Sequence, residues 1–352
     1  MWRQAAKRSR DFENILVTGG LGYIGSHVSV ELADNGYRPI ILDDCSNSHE
    51  NVKVALDELS GGSIFFVDGS VLDKSDLGNL FDSFDIKGVV HLAAKKSVPE
   101  SINKPAEYFE TNFMGSLALV KAMQRNNCRN LVFSSSAAVY SEFKDQALKE
   151  PDVTLPQTPY GLSKYFVELM LEKVALSETS WSVSNMRYFN PLGCHDSLKI
   201  GDRPHGPAAN VMPKIIQAAM GTIEYLSIFG GDYDSVDGTA VRDYIHVTDL
   251  AAAHVLALKD PENGTKTLNI STGVGTTVLQ LIKTFERANN VEVPHKIEPR
   301  RAGDAGIVFG DNQRVSDCLN WAPRKNIEDM CRNSWDFALK HESRKQTVRD
   351  ES

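Results

Sequence analysis

An α/β fold built on a doubly wound parallel sheet is the architecture this chain predicts, on three observations. Short apolar strands alternate with amphipathic stretches through the first half. Glycines crowd the first strand-to-helix turn, and polar residues collect where later strands end. Short, wholly apolar strands separated by helices imply a parallel sheet covered on both faces. Ligands of such sheets sit beyond the carboxyl ends of the strands. At 352 residues the chain has length for one large unit or two domains, with ample core.

Ile15-Leu16-Val17 is the first strand, and Thr18 to Gly25 turns it into a helix reaching about Asn35. Gly19, Gly22 and Gly25 are spaced as a variant of the dinucleotide fingerprint. Glycines are needed where the backbone turns tightly, approaches a pyrophosphate and packs on the strand, with the helix N-terminus facing the negative charge. Alone, the motif is equally a glycine-rich turn. The next strand, Arg38 to Leu42, ends at Asp43, about 20 residues past the glycines, where an acid suits ribose hydroxyls and repels a 2′-phosphate. Together these favour a Rossmann-like unit and NAD.

The alternation continues with a strand at Ser63 to Val67, a helix at Lys74 to Phe84 and a strand at Gly88 to Ala93. A long helix follows at Pro105 to Asn127, then a strand at Asn130 to Phe133. Lys95-Lys96 and Ser134-Ser135-Ser136 follow two of these strands; with a period of two, Ser134 and Ser136 share a face. Pro159 suits the first turn of a helix whose apolar positions run through Phe166, Leu169, Met170 and Val174. On it Tyr160 and Lys164 stand four apart, on one face. An ammonium beside a phenol favours the phenolate, so the pair predicts a base usable near neutral pH. Taken alone, such a pair is more simply a solvated helix face.

A strand at Ser182 to Tyr188 follows, and beyond Asn190 the pattern loosens into Pro- and Gly-rich sequence. A helix opens at Asn210-Val211-Met212-Pro213, and a loop from Gly230 to Gly238 leads to the strand Arg242 to Val247 and a helix at Asp249 to Leu258. Arg242 and Arg301 offer guanidinium forks for a diphosphate, although a surface salt bridge explains either one. His246, on an apolar strand, is expected as a core histidine. The charged tail past about Lys340 is expected to be disordered.

Net charge of -8 argues against nucleic-acid binding, and no basic amphipathic run suggests a membrane surface. Met1 to Asn14 lacks the apolar core of a signal peptide and reads as a frayed extension. The five cysteines are scattered, without metal spacing, and read as reduced thiols of a cytoplasmic protein; no metal is expected.

With the glycine loop, Ser136, Tyr160 and Lys164 in hand, the chain resembles the extended short-chain dehydrogenases/reductases, and among them the UDP-glucose 4-epimerase family, from about Asn14 to Lys340. Thr18 to His27, His91 to Ser101, Phe133 to Tyr140, Pro159 to Lys164, Tyr188 to Pro191, Asp237 to Val247 and Arg301 to Asp304 carry the resemblance. It implies an NAD-binding domain over 1–187, with a return near 241–262, and a smaller nucleotide-sugar domain over 188–352.

The resemblance implies that Tyr160 takes the proton of the sugar 4-hydroxyl while hydride passes from C4 to tightly held NAD. The 4-keto sugar then turns about its phosphate link, and hydride returns to the other face. Lys164 would bond the nicotinamide ribose, and Ser136 the 4-oxygen. Gly19, Gly22, Tyr23, Ile24 and Gly25 would hold the pyrophosphate, and Asp43, Asn47, Ser48, Ser70 and Val71 the adenosine end. Leu92, Ala93, Ala94, Lys96, Asn112, Ser134 and Tyr188 would line the rest of the cofactor cleft. Asn190, Asn210, Val211, Arg242, Arg301 and Asp304 would hold UDP, with Lys96 and Val308 at the sugar. A homodimer is implied through the helices Pro105 to Asn127 and Pro159 to Ala175, as a four-helix bundle.

The chain departs from the family pattern at Leu21, Asp44, Ser70, Ala138 and Ala209. Val308 stands where the family's bulky tyrosine closes the sugar pocket, so acceptance of UDP-N-acetylglucosamine is expected. A 4,6-dehydratase would need Asp-Glu after Ser136, where Ala137 and Ala138 stand. An epimerase for UDP-pentoses or UDP-uronates, or an NAD-binding sensor without catalysis, remain the alternatives.

Overall fold

The computed structural model describes residues 12–140, 146–203, 206, 208, 210–301 and 305–350; of Glu50 and of 343–350 only the backbone is described. Seven parallel strands form the main sheet: β1 (Glu13–Thr18), β2 (Tyr37–Asp43), β3 (Phe65–Asp68), β4 (Ile86–His91), β5 (Asn130–Ser136), β6 (Ser182–Tyr188) and β10 (Gly264–Ile270). Their spatial order, β3-β2-β1-β4-β5-β6-β10, is the dinucleotide-binding order with one strand added. The switch point falls between β1 and β4.

Side-chain alternation divides the core between the two faces of the sheet. Ile15, Val17, Ile41, Val90, Val132 and Leu268 point to one side. There they meet helices α1 (Tyr23–Asp34), α2 (Glu50–Ser60) and α9 (Val247–Lys259). Leu16, Ile40, Val89, Leu131, Phe133 and Val183 point to the other. That face carries α3 (Lys74–Ser83), the helical run of α4 (Val98–Asn103), α5 (Pro105–Tyr108) and α6 (Gly115–Arg125), and α7 (Pro159–Ser177). Burial on both faces is why β1, β2 and β4 carry apolar runs. Between α5 and α6 the helix widens into a π turn, Phe109–Met114.

The smaller region uses shorter strands. β9 (Val241–His246) is flanked by β7 (Asn190–Leu192), β11 (Gly275–Thr277) and β13 (Ile307–Val308), and β8 (Leu226–Phe229) pairs with β12 (His295–Glu298). Helices α8 (Val211–Ala219), α10 (Val278–Asn289) and α12 (Ile327–Asp350) cover them around Ile215, Leu281, Phe285 and Met330. The short helix α11 (Gln313–Leu319) packs back on the large sheet.

One strand goes unannounced in the sequence and two expectations change. The polar edge strand Gly264–Ile270 carries no apolar run to announce it. The triplet Ser134-Ser135-Ser136 lies inside β5 and not after it, because its register with Met186, Arg187 and Tyr188 continues the ladder. The tail expected to be disordered past Lys340 continues α12 to Asp350. His246 is a satisfied core histidine, bonded to Thr248 Oγ1 at 2.7 Å and Asn333 Oδ1 at 3.1 Å.

Candidate active site

The glycine turn after β1 is a cradle defined by what cannot fit in it. A Cβ on Gly19, whose φ is +70°, would lie 2.7 Å from the Ala93 nitrogen; one on Gly25 would lie 2.1 Å from the Gly19 oxygen. Gly22 caps α1 without any side-chain bond, so the first-turn N–H groups face the cradle uncovered by a side chain. A pyrophosphate suits such a helix start, with its partial positive charge and orphan donors. Tyr23 and Ile24 begin that helix half-buried, and the Tyr23 hydroxyl donates to the Gly193 carbonyl at 2.7 Å, tying the turn to the smaller region.

Asp43 ends β2 beside the turn. Its Oδ2 accepts from Leu21 N at 2.9 Å and its Oδ1 from Cys45 N at 2.9 Å, so the carboxylate shapes the loop it would serve. Burial pushes its pKa up against those bonds. Leu21 turns its side chain into the core and so does not crowd the cradle. Asn47 is exposed, and the Ser48 hydroxyl is buried beside Cys45. Ser70 is half-buried and Val71 packs over Gly115.

Leu92, Ala93 and Ala94 leave β4 half-buried at the cradle's far wall. Thr18 Oγ1 accepts from Leu92 N at 3.2 Å and Ala93 N at 3.3 Å. Ser116 donates to Asn112 O at 2.5 Å, so its oxygen accepts from His91 Nε2 at 2.8 Å, and His91 Nδ1 accepts from Thr18 Oγ1 at 2.7 Å. That order fixes the neutral His91 tautomer, and burial with the Lys164 charge lowers its pKa to about 3. Asn112 is spent on the protein itself: it bonds both backbone groups of Lys95 and the Ser163 hydroxyl. Lys96, one residue on, is exposed. Asn112 sits in the π turn, where the extra residue per turn re-aims a side chain.

Ser134, Ser136, Tyr160, Lys164 and Tyr188 converge where β5 and β6 end and α7 begins. Thr158 caps α7 by accepting from Gly161 N at 3.2 Å, and Pro159 occupies its first turn. A Cβ on Gly161 would lie 2.3 Å from the Ala138 oxygen, so only glycine lets the helix start approach the turn after β5. That approach brings the Tyr160 phenol to a hydrogen bond with Ser136. Ser136 Oγ also accepts from Ala138 N at 3.1 Å, leaving its hydrogen to donate.

The electrostatics correct the expected acidification. Burial of the hydroxyl end raises the Tyr160 pKa, the Ser136 bond alone lowers it, and Lys164 makes no contribution. Lys164 donates instead to the Ser134 carbonyl at 2.8 Å, over the Phe133 ring. Burial drives its pKa down to about 7, while Glu168 holds it up. The Tyr188 hydroxyl is paired with Ser134 Oγ, and burial raises its pKa.

In the smaller region one sheet gathers Asn190, Arg242 and Val308. Asn190 Nδ2 donates to the Asp243 carbonyl at 2.8 Å, and Val308 lies opposite Arg242 in register. Arg242 bonds the carbonyls of Val241, Ala305 and Gly306, tying β9 to the 305–306 segment. Val308 is 9 % exposed and packs in one cluster with Ala137, Val139 and Phe189. Asn210 is exposed at the cap of α8, and Val211 starts that helix. Arg301 is exposed with its guanidinium 4.4 Å from the Phe229 ring centroid. Asp304 lies outside the described residues.

Sequence reasoning missed Glu168 and Arg187, a buried ion pair at 2.6 Å under the serine triplet. Glu168 stands one turn after Lys164, a spacing that could have exposed it.

Comparison with known proteins agrees with this geometry. The model of the NAD dependent epimerase/dehydratase family matches residues 15–271. UDP-glucose 4-epimerase of Bacillus subtilis is 40% identical over 323 residues, covering 91% of this chain and 95% of its own. That of Haemophilus influenzae is 41% identical over 326 residues, covering 92% and 96%. Among solved structures, UDP-glucose-4-epimerase from Stenotrophomonas maltophila, with bound NAD and formylated UDP-arabinopyranose, superposes with a TM-score of 0.91 at 42% identity, covering 94% of this chain and 99% of that one. The enzyme from Bifidobacterium longum, in complex with NAD+ and UDP, gives 0.90 at 37% identity, covering 93% and 98%. With the profile spanning most of the chain and the relatives nearly all of it, this protein belongs to the NAD dependent epimerase/dehydratase family.

Proposed function

We propose that this chain interconverts UDP-glucose and UDP-galactose by inverting C4, with NAD held throughout the cycle. The observation that carries the reading is the meeting of Ser136, Tyr160 and Lys164 beside a glycine cradle at the switch point of the sheet. The relatives' names and the NAD and UDP of the neighbours support it. NAD, when bound, supplies a reversible hydride acceptor for C4. Tyr160 takes the proton of the 4-hydroxyl as C4 is oxidised and gives it back as C4 is reduced. Ser136, with its hydrogen free to donate, holds the 4-oxygen in both halves of the cycle. Burial raises the Tyr160 pKa, and the positive charge of the bound cofactor would lower it toward a usable base.

We assign the cradle, Asp43, Asn47, Ser48 and the Ser70-Val71 turn to NAD, and Asn190, Asn210, Val211, Arg242, Arg301 and Asp304 to UDP. Residues 1–187 serve the cofactor and 188–352 the sugar nucleotide, with α9 and β10 returned to the cofactor side. Val308, smaller than the tyrosine of the family pattern, leaves room for an N-acetylated sugar.

The exposed apolar side chains of Ile102, Met114, Phe166 and Leu169 lie on adjoining helices, where Phe109 and Phe113 stack on Phe166. A patch of this kind suits a two-fold contact with a second copy. Light scattering at the mass of one chain would overturn that assembly. A cytoplasmic setting fits five free thiols.

Purified protein, given UDP-galactose and no added NAD, is expected to form UDP-glucose. Bound NAD without any turnover would favour a sensor. UDP-N-acetylglucosamine left unconverted would reject the roomy pocket alone.

A further inference from the structure

Beneath the catalytic group lies a charged cluster that no step above uses. Glu168 is buried, one turn beyond Lys164 on α7. Its Oε1 accepts from Arg187 Nε at 2.9 Å and from the Ser135 hydroxyl, and its Oε2 accepts from Arg187 Nη2 at 2.6 Å. Ser135 and Arg187 face each other in the β5–β6 register, so one carboxylate grips both strands at a single rung. Arg187 is held further by the Glu150 carbonyl at 3.1 Å and lies over the Tyr140 ring. Tyr140 donates to Asn269 Oδ1 at 2.6 Å, and Asn269 N donates to Glu150 Oε1 at 2.7 Å, which reaches β10. The rung lies between Ser134, whose carbonyl Lys164 bonds, and Ser136, which Tyr160 meets.

A buried ion pair is costly to desolvate, and tight packing alone does not require one here. What a neutral pair could not supply is a fixed negative charge one turn from the Lys164 ammonium, whose hydrogen bond goes to the Ser134 carbonyl. The groups set against Lys164 are Glu168 on its own helix, His91 on β4, and the Ser134 carbonyl and Phe133 ring on β5. Of these only Glu168 is an acid.

We propose that Glu168 is a positioning residue for the epimerisation: clamped by Arg187 and Ser135, its carboxylate fixes the β5 strand end against α7 and serves as counter-charge to the Lys164 ammonium. This rests on the catalytic reading of Tyr160 and Lys164. Glu168 touches neither substrate nor cofactor in that scheme.

The test compares Glu168→Gln with the charge-neutral double variant Glu168→Gln/Arg187→Gln. In the single variant Lys164 loses its counter-charge and gains an unpaired guanidinium nearby, so its ammonium gives up its proton at lower pH. The alkaline limb of the turnover profile is expected to move to lower pH by about one unit, with kcat down about tenfold and KM for UDP-galactose within about twofold. The double variant removes both charges and should bring the limb back. Lysine labelled with ¹³C at Cε, with Lys164 assigned through Lys164→Met, follows the same titration by NMR without turnover. A wild-type protein that never turns over UDP-galactose sinks the catalytic reading, whereas an unmoved Lys164 titration in Glu168→Gln sinks this one. Should the single variant fail to fold, Glu168→Asp, which keeps the charge and shortens the reach, is expected to lower kcat with the limb in place. A shifted limb there overturns the proposal.

Discussion

On the large sheet Ser136, Tyr160 and Lys164 stand on one strand end and one helix start, buried or half-buried. In the smaller region the site residues stand on strands of two to six residues and on loops, several of them exposed. Gly25, Ser136 and Lys164 have almost no freedom, whereas Asn210 and Arg301 lie open. The difference matches two tasks. Proton and hydride chemistry at one carbon requires fixed geometry, since small displacements cost large factors. A sugar that must present both faces in turn requires a grip that holds its nucleotide and leaves the ring free.

The sharpest way to break this comparison is at the phenol. Tyr160→Phe removes the one group that can take the 4-hydroxyl proton, and kcat is expected to fall by roughly 10²–10⁴ with NAD retained. Steady-state assay beside absorbance of the released cofactor checks both halves. Unchanged turnover would mean that Ser136 or Tyr188 carries the proton, and the fixed set would lie elsewhere. At the cradle, Gly25→Ala drives a Cβ to 2.1 Å from the Gly19 oxygen. A destabilisation of about 3 kcal/mol is expected, with NAD lost on purification. Thermal melts and the absorbance ratio of the purified protein measure it.

The same division explains what could be read from the chain. β1, β2 and β4 announce themselves through their apolar runs, because a strand buried on both faces is apolar at most positions. β10, Gly-Thr-Lys-Thr-Leu-Asn-Ile, lies at the sheet edge and alternates, and nothing local marks it as the seventh strand. The Tyr160–Lys164 spacing located the active helix, but helical adjacency says nothing about where an ammonium points. Lys164 found the Ser134 carbonyl, so the phenol stays a weak acid. Arg242 was legible as a cation, while its bonds to the carbonyls at 241, 305 and 306 come from a strand pairing visible only in the fold.

Acid should unsettle the large-sheet region. His27 and His91 have pKa values lowered to about 3, and His254 to about 4, all chiefly by burial. A base whose folded pKa is depressed binds fewer protons folded than unfolded between the two values. Stability is therefore full above about pH 6.5 and is lost as pH falls toward 4 to 3. Buried Asp43 and Asp243, with raised carboxyl pKa values, take up protons when folded and offset part of that loss. Urea unfolding at pH 7 and pH 6 should differ by about 2 kcal/mol, the acid sample being weaker. A His91→Gln variant should show a shallower dependence.

The smallest effect sharpens the comparison from the other side. Arg301 is exposed, its guanidinium resting on the Phe229 ring, and it belongs to neither core cluster of the large sheet. Arg242 pins β9 to residues 305 and 306. Both are assigned to the diphosphate, and Arg242 also pins a strand. Arg301→Ala should raise KM for UDP-galactose about tenfold and leave kcat unchanged, the loss of one charge-assisted contact shared by ground and transition states. Arg242→Ala should raise KM and lower the melting temperature together. If Arg301→Ala cut kcat as deeply as KM, the nucleotide grip would be coupled to the chemistry, and the smaller region would need the same fixed geometry as the large one.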